Sequence, residues 1–455
     1  MLILERSEFS IDPEKLKIHN IDWRGQYIGN SNLLIFPKSV EKLSKILKFC
    51  QQKEITVVPQ GGNTGLVGGA VPCKGKSDVI VNLSKLNKIR EIDLIGNSIT
   101  VEGGCILDDI KKKLQLHNLE FPLSLGSRGN CQIGGNISTN AGGVNVIKYG
   151  SIRQNILGLE AVLADGTIFN SLKNVKKNNT GLDMKQLLIG SEGILGIITA
   201  ATIKVYPLPK EKVVIWSSFA TFEQVLNFYV YLTKKFNNLI TSFEFMNKES
   251  IEILEQNEMK LKNLKRNQCY CLVEISNFQF IKNFNEFVSS SIDFNLLETD
   301  DVIISKSENE NRILWNYRES IPLAEKKEKF IIPHDISIPL KNISKFVFTT
   351  TKIIKKYNKY SKIINFGHLG DNNLHFNILI NEFSSKRKRQ ICKSINRIVF
   401  DNVKKYGGVI SAEHGIGQLR KSDLKIQKDI SEIRIMKKIK KLFDPANILN
   451  QGKVI

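Results

Sequence analysis

The sequence predicts an α+β protein of two main domains, and three observations carry that expectation. Small-residue tracts recur between short strand-like runs from Gly61 to Ile198. Past Pro209 the glycines thin out, and the text takes on a β-α-β-β-α-β rhythm, the pattern of a ferredoxin-like unit. Downstream stand two histidine motifs, GHLGDNNLHFNI at 367–378 and SAEHGIG at 411–417.

In chain order, residues 40–50 place Val40, Leu43, Ile46, Leu47 and Cys50 on one helical stripe, with Ser39 as N-cap. A β-branched run at 55–58 leads into PQGGNTGLVGG, which packs five glycines into the nine residues 61–69. Such a stretch cannot be a helix or strand interior. It lets backbone N–H groups converge, most simply on a pyrophosphate. Its spacing is neither GxGxxG opening a helix nor a loop ending in Gly-Lys-Ser/Thr, so nicotinamide-type Rossmann and Walker readings both fail. Strands are expected at 79–83 and 99–102. A second tract follows at 126–143, then a hairpin of 157–163 with 167–169 closed by Asp165-Gly166. A third tract fills 190–198. One glycine loop is weak evidence; three, interleaved with short strands, describe a large cofactor wrapped by several loops.

The second half reads as strand 213–217, helix 223–234, strand 242–246 and strand 269–275, the last leading into a weaker helical stretch. Ile391, Ile395, Ile398, Val399 and Val403 form a further helical stripe, stopped by Gly407-Gly408. From Leu374 onward the alternation is that of a strand, so His375, Asn377 and Leu379 share one face and Phe376 and Ile378 the other. His368 and His375, together with Glu413, make a nitrogen-plus-oxygen ligand set suited to zinc or a similar divalent ion, with a position left for substrate. His414, beside Glu413, is then left for proton transfer.

Composition narrows the function classes. The chain has 455 residues, 42% hydrophobic and 24% charged, as in an ordinary globular protein. Seven cysteines form neither a CxxC pair nor a disulfide-dense pattern, which fits a reducing cytoplasm. The opening MLILERSEFSIDPEKLK carries Glu5 and no sustained apolar run, so neither a secretory signal nor a membrane span is expected. With 66 Lys+Arg against 45 Asp+Glu, the formal charge of +21 favours anionic partners. The lysines are scattered, and no helix-turn-helix, zinc-finger or RNA-binding signature accompanies them, so nucleic acid is not an expected partner.

PQGGNTGLVGGAVP, LGSRGNCQIGGNISTNAGG and LLIGSEGILGIIT, with Asp22-Trp23-Arg24-Gly25, resemble the FAD-binding domain of the vanillyl-alcohol oxidase / p-cresol methylhydroxylase type. Within it the chain resembles the D-2-hydroxyacid dehydrogenases, over nearly its whole length. The resemblance implies a two-lobed FAD-binding domain at 1–209, a ferredoxin-like substrate (cap) domain at 210–405, and a segment at 406–455 packing back on the FAD domain and closing the active site. The closing segment 442–450, LFDPANILN, also resembles the family's C-terminal signature. The FAD contacts it implies are Pro59, Gly61, Gly62, Asn63, Thr64, Gly65 and Leu66 in the first loop. In the second they are Gly126, Ser127, Gly134, Gly135, Asn136, Thr139, Asn140, Gly142 and Gly143. Glu192, Gly193, Gly196, Ile197, Ile198 and Asn450 complete the set. Some relatives tether the flavin through a first-loop histidine; Asn63 stands there, so FAD is expected to be non-covalent.

The same resemblance makes Arg318 the substrate-carboxylate arginine, His414 the base, Asn377 a neutral hydrogen-bonding partner, and His368, His375 and Glu413 the metal ligands. The implied reaction turns a D-2-hydroxy acid into a 2-keto acid and passes electrons to an electron-transfer flavoprotein, quinone or cytochrome. In hydroxyglutarate-acting relatives a lysine and a small hydroxyl residue stand where this chain has Pro333 and Pro322, which leaves D-lactate open as substrate; His334 is a candidate to replace the missing grip. The rival of another class is a non-catalytic flavin-binding subunit of a larger complex. The peripheral inner-membrane face and a homodimer both remain compatible with the sequence.

Overall fold

The structure is a computed structural model and describes residues 4–75, 78–259, 261, 266–276, 302–381 and 385–455. The weaker helical stretch expected after residue 275 lies outside them. The chain forms two compact units: residues 1–142, 150–208 and 413–455 make the first, residues 143–149 and 209–412 the second.

The first unit has two sheets. In the smaller, strand order runs Phe9–Ser10, Leu34–Ile35, Val79–Asn82, Val57–Gln60. Its Leu34–Ile35, Val79–Asn82 and Val57–Gln60 strands are parallel, with helix Val40–Gln52 as the crossover. Ser39 caps that helix, its Oγ accepting from the Lys42 N–H at 3.2 Å, and Leu43, Ile46 and Leu47 sit in the core. The larger sheet is antiparallel, in the order Ile89–Asp93, Ser98–Glu102, Ile197–Lys204, Ile156–Val162, Ile168–Ser171. The expected Asp-Gly turn joins its last two strands, with Gly166 at φ +85°.

The second unit is built on an eight-stranded sheet. Its first four strands lie in the order Val302–Ile304, Lys212–Phe219, Cys269–Ser276, Ile240–Asn247. By chain order that is 4-1-3-2, the arrangement of a ferredoxin-like unit. The sheet then continues through Ser361–His368 and Asn373–Ile380 to Ile331–Ile332, with Asp335–Ser337 also pairing to Asn373–Ile380. Two features were not legible: the pairing of this second half, which joins distant segments, and helix Lys248–Gln256, interposed between Ile240–Asn247 and Cys269–Ser276. Asn247 caps that helix and Ile251 and Leu254 bury its inner face, but charged text around them hides the stripe.

Pleating sorts this sheet's residues into two layers. Phe243, Phe245, Ile363, Phe376 and Ile378 pack under helices Phe222–Phe236, Leu340–Tyr357 and Lys388–Lys405. Met246, Ile364, Phe366 and Leu379 face the opposite layer of helices Lys248–Gln256, Glu308–Glu319 and Ile321–Lys326. By alternation Glu244, His368, His375 and Asn377 belong to this second layer. Among the described residues no helix is long and apolar enough to cross a membrane.

Candidate active site

In the first unit the glycine tracts converge on a cleft partly open to solvent. It is lined by Pro59, residues 60–65, Gly134, Gly135, Asn136, Thr139, Glu192, Gly193, Gly196, Ile197, Ile198, His414 and Asn450, among others. Glycine is required where tracts touch: a Cβ on Gly62 would lie 1.9 Å from the Asn130 carbonyl oxygen. Gly193, at φ +73°, lies against the Pro59 ring. Asn63 holds a left-handed backbone at φ +52°, and its side-chain amide donates to the Ile21 carbonyl at 2.8 Å.

Glu192 anchors the segment around His414. Its two carboxylate oxygens accept the backbone N–H groups of Ile416 (2.7 Å) and Gly417 (2.8 Å). Burial raises its carboxyl above the usual range, against the opposing pull of those N–H donors and of Lys453. Asn450 donates to the carbonyls of Gly69 (3.1 Å) and Glu192 (2.7 Å), and accepts from the buried Lys453 ammonium. The cleft suits a large ligand bearing N–H and hydroxyl donors. Two of its buried acceptors, Gln132 Oε1 and Asn136 Oδ1, take no donor from the protein among the described residues, which is costly unless a ligand or water completes them.

Leu66, Gly126, Ser127, Asn140, Gly142 and Gly143 do not line this cleft. The Ser127 carbonyl closes a turn with the N–H groups of Asn130 and Cys131. The Asn140 side-chain oxygen accepts from the Ser151 hydroxyl and the Arg153 N–H. Gly143 opens the excursion 143–149 that packs within the second unit, where the Ser242 hydroxyl donates to the Val144 carbonyl at 2.8 Å. Gln60, Gly69, Cys131 and Gln132 also line the cleft; they fall in the first two tracts but were not among the individual contacts expected there. Gln60 and Gln132 are buried amides that stand inside the quoted tracts, and that placement could have flagged them.

In the second unit, strand pairing sets the chemistry. Glu244 and His368 are direct cross-strand partners, and so are Phe366 and His375. The His368 Nδ1 lies 2.7 Å from Glu244 Oε1, while Arg318 donates from Nε to Glu244 Oε2 at 2.7 Å. Glu244 is wholly buried. Burial alone would raise its carboxyl, but the charges and hydrogen bonds of His368 and Arg318 outweigh that and hold it below the usual range. Arg318 is 5% exposed and lies over the Phe366 ring, 4.7 Å from its centroid. Among the described residues, neither Nη group of Arg318 has a protein acceptor. A buried guanidinium with its planar fork unspent is suited to a carboxylate.

His375 lies beside His368, with ring centroids 5.7 Å apart and planes at 80°. Its Nδ1 is 3.9 Å from Asp335 Oδ1, on the strand paired with its own. Each imidazole thus has a carboxylate on the Nδ1 side, the arrangement that orients a histidine to ligate through Nε2. The two imidazoles of this unit are therefore suited to supply nitrogen ligands to a divalent metal. The loop between the histidines depends on Gly367, at φ +153°, where a Cβ would lie 2.6 Å from the Asn373 carbonyl, and on Asn372 at φ +72°.

Asn377 shares their face but its amide is engaged: it donates to both Glu325 oxygens (2.8 and 3.0 Å) and accepts from the His334 N–H at 2.9 Å. His334 is 1% exposed, with Nδ1 at the Phe376 carbonyl and Nε2 at Asn396 Oδ1, both 2.9 Å. These contacts describe a structural histidine. Pro322 lies in the first turn of helix Ile321–Lys326, and Pro333 falls between Ile331–Ile332 and Asp335–Ser337. Glu244, Asp335 and Glu325 were not legible, being single carboxylates in strand or helix text.

Two family descriptions match the chain: "FAD binding domain" over residues 31–171 and "FAD linked oxidases, C-terminal domain" over 208–454. A D-2-hydroxyglutarate–pyruvate transhydrogenase of Saccharomyces cerevisiae is 35% identical over 457 residues, covering 97% of this chain and 90% of that protein. A mitochondrial D-2-hydroxyglutarate dehydrogenase of Danio rerio is 34% identical over 448 residues, covering 98% and 82%. A Schizosaccharomyces pombe protein, provisionally named a mitochondrial D-lactate dehydrogenase, is 35% identical and covers 100% and 87%. Among solved structures, p-cresol methylhydroxylase with substrate bound has a TM-score of 0.76 at 15% identity, covering 99% of this chain and 94% of that one. An alkyldihydroxyacetonephosphate synthase has a TM-score of 0.73 at 17% identity, covering 98% and 82%. Both are likenesses of fold.

Proposed function

The chain belongs to the FAD-linked oxidases, and from that premise we propose that it oxidises a D-2-hydroxy acid to the 2-keto acid. It is an FAD-dependent oxidoreductase of the D-2-hydroxyacid dehydrogenase kind. FAD, held by the glycine-tract residues that line the cleft of the first unit, would supply the acceptor for the hydride on the substrate's C2. A divalent metal, in our reading zinc, would lower the pKa of the substrate hydroxyl.

The observation that carries the reading is Arg318, nearly buried, oriented through Nε by Glu244, with its Nη fork unspent among the described residues. It would hold the substrate's C1 carboxylate in two parallel hydrogen bonds. His368, His375 and Glu413 are the metal ligands in this proposal. What supports Glu413 is chain connectivity: the Ala412 N–H donates to the Asp335 carbonyl at 3.3 Å, and Glu413 is the next residue. His414 would take the hydroxyl proton; its segment is fixed by Glu192, and it lines the cleft. Asn377 fits a supporting role, holding Glu325 rather than substrate. Asn63 stands in the first tract, whose residues 59–69 include no histidine, so in this reading the flavin is held non-covalently.

Hydroxyglutarate is the first substrate reading, from the names of the relatives. D-lactate is the second, favoured by Pro322 and Pro333, which bring neither charge nor donor for a distal carboxylate. Electrons would pass to an electron-transfer flavoprotein, quinone or cytochrome. The compartment we favour is a reducing one, the cytoplasm, since all seven cysteines are free; several relatives are named mitochondrial.

Chelation, or His375→Ala, is expected to lower turnover at least about a hundredfold while FAD absorbance stays intact. Full turnover by a preparation shown by elemental analysis to be metal-free would refute the metal reading.

A further inference from the structure

We infer that Glu244 is a positioning residue that fixes, with one carboxylate, both the substrate-binding arginine and the first metal-ligating histidine. The inference rests on the roles proposed above for Arg318 and His368. Strand Ile240–Asn247 places Glu244 directly opposite His368, and helix Glu308–Glu319 brings Arg318 over the same sheet face. Each carboxylate oxygen serves one partner at 2.7 Å. Wholly buried, the carboxylate is stable in the fold because the guanidinium balances it.

The bond to His368 has a chemical consequence. A carboxylate accepts only, so Nδ1 carries the proton and Nε2 carries the lone pair that ligation requires. The bond to Arg318 uses Nε alone and keeps the Nη fork for an anion. Glutamine has the same size but cannot serve both partners, because one end of its amide donates. Facing Nε it opposes donor to donor; facing Nδ1 it selects the tautomer whose Nε2 holds the proton. Position 244 thus demands two acceptors from one side chain, which only an ionised Glu supplies at this reach.

The test uses the flavin-loaded, metal-stripped protein titrated with Co²⁺ in the absence of substrate. The cobalt d–d bands report the ligand set, and circular dichroism and flavin content report the fold. Wild type is expected to take up one Co²⁺ with histidine-type bands. Glu244→Gln is expected to bind it about 10–100-fold more weakly, with flavin content unchanged. The same variant, reloaded at saturating metal, is expected to show a raised KM for D-2-hydroxyglutarate or D-lactate beyond any change in kcat. Should Glu244→Gln fail to fold, Glu244→Asp keeps the charge one carbon further back, and a several-fold weaker Co²⁺ site is expected. Unchanged Co²⁺ affinity in a folded variant overturns the inference and leaves the functional reading intact. A wild type that binds no Co²⁺ yet oxidises the hydroxy acid overturns the inference and the metal reading together.

Discussion

At the residue scale, burial decides which charges can matter. Lys453 is 1% exposed, donates to the Gly69 carbonyl at 3.1 Å and to Asn450, and burial depresses its ammonium to about 8 from 10.5. The fold therefore disfavours the proton that the unfolded chain still binds between pH 8 and 10.5. Stability contributed at this site rises with pH across that window and is flat below it. The rise is on the order of 3 kcal/mol, from about 2.5 pH units at 1.36 kcal/mol per unit. Lys453→Met is expected to lose this rise, read as the difference between variant and wild type in denaturant unfolding from pH 7.5 to 10. Parallel curves would contradict the burial argument. Sequence reading could not have found this lysine, since one of 66 Lys+Arg residues carries no mark of being buried. Glu244 was hidden for the same reason. The histidines at 368 and 375 stood out because histidine is scarce, six in the chain, and because the alternation from Leu374 onward assigns a face.

At the element scale, local patterns were legible and long-range pairings were not. Ser39 and its apolar stripe specify helix Val40–Gln52, and Asp165-Gly166 specifies its hairpin, because each is decided within a few residues. The second half of the cap sheet depends on Asp335–Ser337 and Ser361–His368 meeting the strand Asn373–Ile380, which no local period encodes. Glycine tracts announced a cofactor loop but not which glycines face it. Gly62 faces the cleft and touches Asn130, whereas Gly126 has open space around its Cα and does not line the cleft. A methyl at Gly62 must displace the Asn130 carbonyl, at a cost of about 1–3 kcal/mol or more. Gly62→Ala is therefore expected to weaken FAD retention at least about tenfold, while Gly126→Ala retains it. Yellow colour released into the supernatant by acid precipitation measures both, and release from wild type tests non-covalent attachment. Equal flavin in the two variants would contradict the assignment.

At the scale of the whole molecule, a formal charge of +21 bears on association rather than fold. Helix Ile430–Phe443 shows one form of it: Arg434, Lys437, Lys438 and Lys441 are exposed beside the exposed Ile430, Ile435 and Leu442. Such a face suits an acidic electron acceptor and its salt-sensitive encounter. Anaerobic stopped-flow spectroscopy separates the two half-reactions and tests the central claim, that this flavin is reduced by a D-2-hydroxy acid. D-2-hydroxyglutarate or D-lactate is expected to bleach the flavin band, the L-enantiomers are not, and Arg318→Ala should slow bleaching at least about a hundredfold. Bleaching should change little as ionic strength rises from about 0.01 to 0.15 M, where screening shortens from roughly 30 to 8 Å, while reoxidation by an acidic protein acceptor slows markedly. A flavin left oxidised by both D-acids, or bleached equally by both enantiomers, would contradict the account.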